Sequence, residues 1–87
     1  MHYVYILLLS NRQLYTGRTD NIRRRILEHK NGKVKSTSVR LPLRLIHYES
    51  YLVKSDAVRR EKFLKTTEGK RLLRQQIRDI LKQNQVI

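Results

Sequence analysis

Eighty-seven residues suffice for one hydrophobic core, and a chain of this length buries only about 60% of its unfolded surface. Twenty Lys and Arg against seven Asp and Glu leave a net charge of +13, a self-repulsion that calls for a polyanionic partner. The lack of cysteine excludes disulfides and thiolate metal sites, and no apolar run is long enough to span a bilayer as a helix.

Residues 3–9 (YVYILLL) are apolar or aromatic on both alternating faces, the pattern of a central strand covered on two sides. Ser10-Asn11-Arg12 supplies turn chemistry, and residues 13–18 read as the returning strand of a hairpin. The period then changes: Thr19 or Asp20 can cap a helix over about 21–30, which Asn31-Gly32 ends. Residues 33–42 form a basic, Ser/Thr-rich loop, and 43–49 (LRLIHYE) read as a third strand after Pro42. Ser55 or Asp56 can cap a second helix to about Thr66. A third is predicted over about 68–84, with Leu73, Ile77, Ile80, Leu81 and Asn84 on one side. The order β-β-α-β-α-α implies an α+β fold with a small, mainly antiparallel three-stranded sheet, and one domain is expected over residues 1–87. No signal-peptide pattern surrounds the first apolar run, so a cytoplasmic location is the default expectation.

The charge is uneven. Residues 18–44 hold nine cations (Arg18, Arg23, Arg24, Arg25, Lys30, Lys33, Lys35, Arg40, Arg44) against Asp20 and Glu28. Arg18, Arg23, Arg24, Lys33, Lys35 and Arg40 are read as phosphate contacts. A membrane surface fits less well, because the apolar face of the last helix is needed for so small a core.

Arg25 and His29 stand one helical turn apart, on a face that adjoins Ile22 and Ile26. An arginine there either snorkels to water or has a function, and a histidine there is either structural or catalytic. Glu61 falls between Ala57 and Leu64, where a carboxylate is desolvated unless a cation compensates; Lys65 at i+4 is the ordinary partner. The tyrosines (Tyr3, Tyr5, Tyr15, Tyr48 and Tyr51) lie on or beside strands, where packing is the default role. No phosphate-binding glycine loop, zinc spacing or paired-carboxylate two-metal site is present.

Together these residues resemble the GIY-YIG nuclease domain. The resemblance rests on Tyr3-Val4-Tyr5, then Tyr15-Thr16-Gly17, Thr19, Asn21-Ile22, Arg25 and His29, and a later helix with Ala57 and Glu61. It covers about residues 1–74, and in length the chain resembles the small stand-alone members. It implies that Tyr5 and Tyr15 are the tyrosines of the two motifs, Arg25 the catalytic arginine, His29 the helix histidine and Glu61 the metal-binding glutamate. Tyr3 stands where the name motif has glycine and Thr16 where it has isoleucine, neither a reacting group. The polar C-terminal side chain that often completes the site has only Gln75 and Gln76 as candidates. The implied activity is phosphodiester hydrolysis in DNA, with RNA as the alternative; a lone domain of this size with no recognition module is expected to select structure more than sequence. A single Mg²⁺ or Mn²⁺ on Glu61 is the implied cofactor. Arg25 would meet the charge developing on the phosphate. Tyr15 or Tyr5 would take the water's proton, which for a phenol of pKa about 10 needs help; His29 is the alternative base. The competing readings are a nucleic-acid-binding module that does not cut and a structural ribonucleoprotein component.

Overall fold

The computed structural model describes residues 1–86. Strand β1 (His2–Leu8) lies between β2 (Leu14–Thr19) and β3 (Arg44–Tyr51), antiparallel to both. Helix α1 (Ile22–Lys30) follows the hairpin, and a short 3₁₀ turn (Ser38–Arg40) interrupts the loop before β3. Then come α2 (Lys54–Leu64), α3 (Thr67–Gln76) and α4 (Arg78–Gln83). The fold is the expected α+β order β-β-α-β-α-α, with its last helix divided.

The central strand is covered on both faces, as its uninterrupted apolar run predicts. Val4 and Ile6 pack against Ala57, Leu64, Leu73, Ile77 and Leu81 of the later helices and the link between them. Tyr5, Leu7 and Leu9 point the other way, against Ile26 of α1 and Leu43. The β1–β3 register slips between Ile6 and Leu7, which leaves Ile46 as an extra residue and bends the edge strand.

Three expectations are corrected. Helix α1 is capped by Asn21 and not by Thr19 or Asp20; Thr19 holds the Asn21 N–H instead. The helix predicted over 68–84 breaks at Ile77, whose backbone (φ −108°, ψ 27°) caps both α3 and α4. Leu73, Ile77 and Leu81 repeat every four residues, and a straight helix would turn each about 40° further off the core than the last. The break keeps all three buried. Helix α2 starts at Lys54, ahead of the predicted Ser55 or Asp56 cap; Val53 ends the extended segment with no side-chain cap, and Asp56 sits in the first turn, where it favours the helix dipole. Gly69 is a point of close approach between α2 and α3: a Cβ there would collide with the Phe63 carbonyl.

Candidate active site

The direction of α1 is fixed by two motif residues. Thr19 Oγ1 accepts from the Asn21 backbone N–H at 3.1 Å, and the Asn21 side chain accepts from the Arg24 N–H at 3.1 Å. At the other end Gly32, at φ +73°, lets the Lys33 N–H reach the Glu28 carbonyl and closes the helix. Between these caps the helix buries Ile26 and His29.

Tyr5 is the centre of the arrangement. It sits opposite Gly17 on β2, and its ring lies across that glycine so closely that a Cβ there would overlap the ring and hydroxyl. The Tyr5 hydroxyl is 2.8 Å from His29 Nε2, and His29 Nδ1 is 2.8 Å from Thr37 Oγ1. Thr37 donates its own proton to the Val34 carbonyl. Its oxygen therefore accepts from His29 Nδ1–H, and Nε2 accepts from the Tyr5 hydroxyl. Burial, then the nearby Arg25 charge, holds the His29 pKa below its ordinary value and keeps the ring neutral. Burial likewise raises the Tyr5 pKa, and Arg25 opposes the rise. The Tyr15 ring stands 5.3 Å from His29 and 6.5 Å from Tyr5, and its hydroxyl accepts from Ser36 at 3.4 Å. Tyr5 and His29 have almost no exposed surface, whereas Tyr15 is partly open.

Arg25 is half-buried, paired with Glu28 at 3.2 Å, and beside the Tyr5 hydroxyl, which raises the arginine's pKa further. It lines an open cleft of ≈ 350 Å³ together with Arg18, Arg24 and Lys54 and with the carboxylates Asp20 and Glu28, which leave the lining net cationic. Glu61 rises from α2 on the opposite face of the sheet, its side chain 19% exposed. Its oxygens lie 3.4 Å from Arg18 Nε and 3.2 Å from Lys65 Nζ, so the desolvated carboxylate has the expected i+4 partner and a second cation as well. Arg18 Nε makes no hydrogen bond despite that distance. Glu61 thus keeps lone pairs for an incoming cation. No cluster of three or more metal-ligating side chains is found among the described residues. A lone carboxylate fits Mg²⁺, which binds through one or two carboxylates and retains waters.

Tyr5, Tyr15, Arg25 and His29 come together on the α1 face. Of the predicted phosphate contacts, Arg23, Lys33, Lys35 and Arg40 are exposed, Arg24 is exposed beside Asp20, and Arg18 is turned toward Glu61. Gln76 bonds Arg60 and not the Glu61 carboxylate. Sequence reading missed Thr37, fully buried in a loop whose periodicity gives no sign of it. It also missed a polar network on β3. Glu49 accepts from His47, Tyr51 and both Nε and Nη2 of Arg60, and these partners, opposed by burial, hold its pKa at about 2. His47, Glu49 and Tyr51 alternate along one strand face, a legible period; Arg60 is eleven residues beyond Glu49.

The three-stranded sheet thus carries α1 on one face and the carboxylate helix α2 on the other. Residues 1–75 match the GIY-YIG catalytic domain, and the chain belongs to that family. It is similar to UPF0213 proteins: 41% identical over 66 residues to one of Staphylococcus epidermidis (75% of this chain, 80% of that protein). It is 42% identical over 82 residues to one of Haloquadratum walsbyi (91% and 92%). The solution NMR structure of a UPF0213 protein from Bacillus halodurans superposes with a TM-score of 0.54 at 39% identity, covering 83% of this chain and 80% of that one. Among the described residues no helix is long and apolar enough to cross a membrane.

Proposed function

We propose that this protein is a divalent-metal-dependent endonuclease that hydrolyses phosphodiester bonds in DNA, selecting structure more than sequence. The reading is carried by the convergence of Arg25, Tyr5, Tyr15 and a neutral His29 beside a cationic cleft, in a chain of the GIY-YIG family. Arg25 donates to the non-bridging oxygens of the scissile phosphate, where charge accumulates as a water oxygen attacks phosphorus and the P–O bond breaks. Tyr15, the more open of the motif tyrosines, orients that water and relays its proton: the phenol oxygen takes the water's proton as its own hydroxyl proton passes to solvent, and the departing oxygen is protonated from solvent. His29 meets no substrate; through Nε2 it fixes the Tyr5 hydroxyl, and through Thr37 its own tautomer. Glu61 would hold the single Mg²⁺ or Mn²⁺, which when bound supplies charge neutralisation at the phosphoryl and leaving oxygens.

A second reading, a nucleic-acid binder that does not cut, has one observation in its favour: Glu61 and Arg25 already have ionic partners. Labelled single-stranded, duplex and branched substrates, assayed with and without Mg²⁺ or Mn²⁺, separate the two. Glu61→Gln is expected to abolish cleavage and leave binding intact. Arg25→Ala should lower the rate by about 10²–10³ with a far smaller change in affinity. Cleavage that survives Glu61→Gln in highly purified protein would sink the assignment; binding without cleavage on every substrate would favour the binder.

A further inference from the structure

A second concavity lies on the other side of α1, between that helix and the edge strand β3. Tyr3, Tyr48, Leu45 and Leu27 line its ≈ 380 Å³, and Arg23 and Lys30 stand at its rim. Its surface is apolar yet open: Tyr48 is 55% exposed and Leu27 58%. Tyr3 meets Tyr48 edge-on, with ring centroids 6.2 Å apart and planes at 62°. The contact steadies the Tyr48 ring and leaves a flat aromatic surface unused. Neither Arg23 nor Lys30 has an ionic partner among the described residues, unlike Arg24, Arg25 and Arg18.

From these features we infer that the groove holds the base of an unpaired nucleotide, stacked on Tyr48, with the flanking phosphates on Arg23 and Lys30. The inference rests on the nuclease reading above and names its substrate class: DNA with a single-stranded stretch beside the cut. Three considerations single out this occupant. Aromatic rings interleaved with unpaired cations are how proteins hold single strands, the rings taking the bases and the cations the phosphates. A paired base stays within its stack and offers no free face to a pocket of this size. The groove and the cleft share no lining residue but flank the same helix, α1. Arg23, Arg24 and Arg25 are successive residues on the first turns of α1; the first rims the groove and the other two line the cleft. One strand can therefore pass from Arg25 around the start of the helix into the groove, a distance on the order of one helix diameter, about 10 Å. A second copy of this chain suits the rim poorly, because it would bring another +13 against Arg23 and Lys30.

The test is binding in EDTA, which needs no cleavage. A labelled oligothymidine carrying one 2-aminopurine is titrated against the protein, beside a duplex of equal length. Tyr48→Ala is expected to weaken single-strand binding about tenfold or more, to leave duplex binding unchanged, and to abolish the quenching of 2-aminopurine. Tyr48→Phe should retain all three properties. The ring is exposed, so circular dichroism should show the alanine variant folded. Equal losses on both substrates, or no loss on the single strand, would overturn the inference. A change from dimer to monomer by light scattering in Tyr48→Ala would also overturn it and assign the groove to a second copy. Failure here leaves the Glu61→Gln cleavage result standing, and failure of that result leaves this binding measurement interpretable.

Discussion

His29 has no exposed surface, and each of its ring nitrogens already has a partner. Protonation would set Nε2–H against the Tyr5 hydroxyl proton and place a second charge near Arg25. Burial and Arg25 therefore hold the folded-state pKa below the unfolded value of about 6.5. The unfolded chain takes up a proton near pH 6.5 and the folded chain only at lower pH. In between, the unfolded state binds more protons, so stability falls as pH drops below about 6.5 and levels off below the folded pKa. Urea unfolding should give a lower free energy at pH 5.5 than at pH 7.5, with that difference reduced in His29→Gln. An unchanged pH difference in the variant would place the titration on another group. The same neutrality points the Tyr5 proton at His29 and leaves the phenol's oxygen toward Arg25, so one buried ring serves both stability and the proposed site. The sequence displayed half of this arrangement. Arg25 and His29 share a helical face by spacing, but the hydroxyl that fixes the ring, Thr37, lies in a loop with Ser36 and Ser38 beside it and no periodicity to choose among them.

On the edge strand β3, the Glu49 network ties the sheet to α2. Arg60 reaches Glu49 with two nitrogens at 2.9 and 3.2 Å and packs over the Phe63 ring at 5.8 Å. The carboxylate's side chain is 15% exposed, so removing its arginine leaves a charge that water does not fully reach. Arg60→Ala should cost about 2 kcal/mol at neutral pH, between the surface and fully buried limits for an ion pair. The Glu49 pKa is lowered to about 2, so its contribution is complete above the unfolded carboxyl pKa of about 4.3 and fades as pH falls toward 2. Chemical denaturation at pH 7 and pH 2.5 should show the wild-type advantage over Arg60→Ala shrinking at the lower pH; an advantage of the same size at both would mean that packing on Phe63 carries it. Elements whose burial follows a simple period were legible: β1 from its two apolar faces, and α1 from its stripe and Asn31-Gly32 stop, though its cap is Asn21 and not Thr19 or Asp20. Glu61 was legible for the same reason, as a carboxylate inside an apolar stripe. The break at Ile77 was not, because the bend keeps the four-residue apolar spacing on the core and so hides itself in the pattern.

At the scale of the molecule, charge and size limit how much nucleic acid the proposed nuclease could engage. The longest extent is 32 Å, which spans about nine base pairs of B-form duplex at 3.4 Å each. Under the proposed function, phosphate contacts would therefore be local, whatever the length of the substrate. The cations also divide by surroundings. Arg25 is half-buried against Tyr5 and Glu28, while Lys33, Lys35 and Arg40 project from the loop after α1. Loop cations that touch phosphate release counterions on binding, each contributing about 0.9 to the salt slope on duplex. Lys33→Ala, Lys35→Ala and Arg40→Ala should each weaken binding and reduce the slope of log affinity against log salt by about 1 for every phosphate no longer neutralised. At saturating substrate their cleavage rates should match wild type, because these cations hold the phosphates equally in the ground and transition states. Arg25→Ala should behave in the opposite way, with a small change in salt slope and a large fall in rate. If the loop variants instead lower the saturated rate while the slope stays fixed, the loop belongs to the chemistry and not to the grip on substrate.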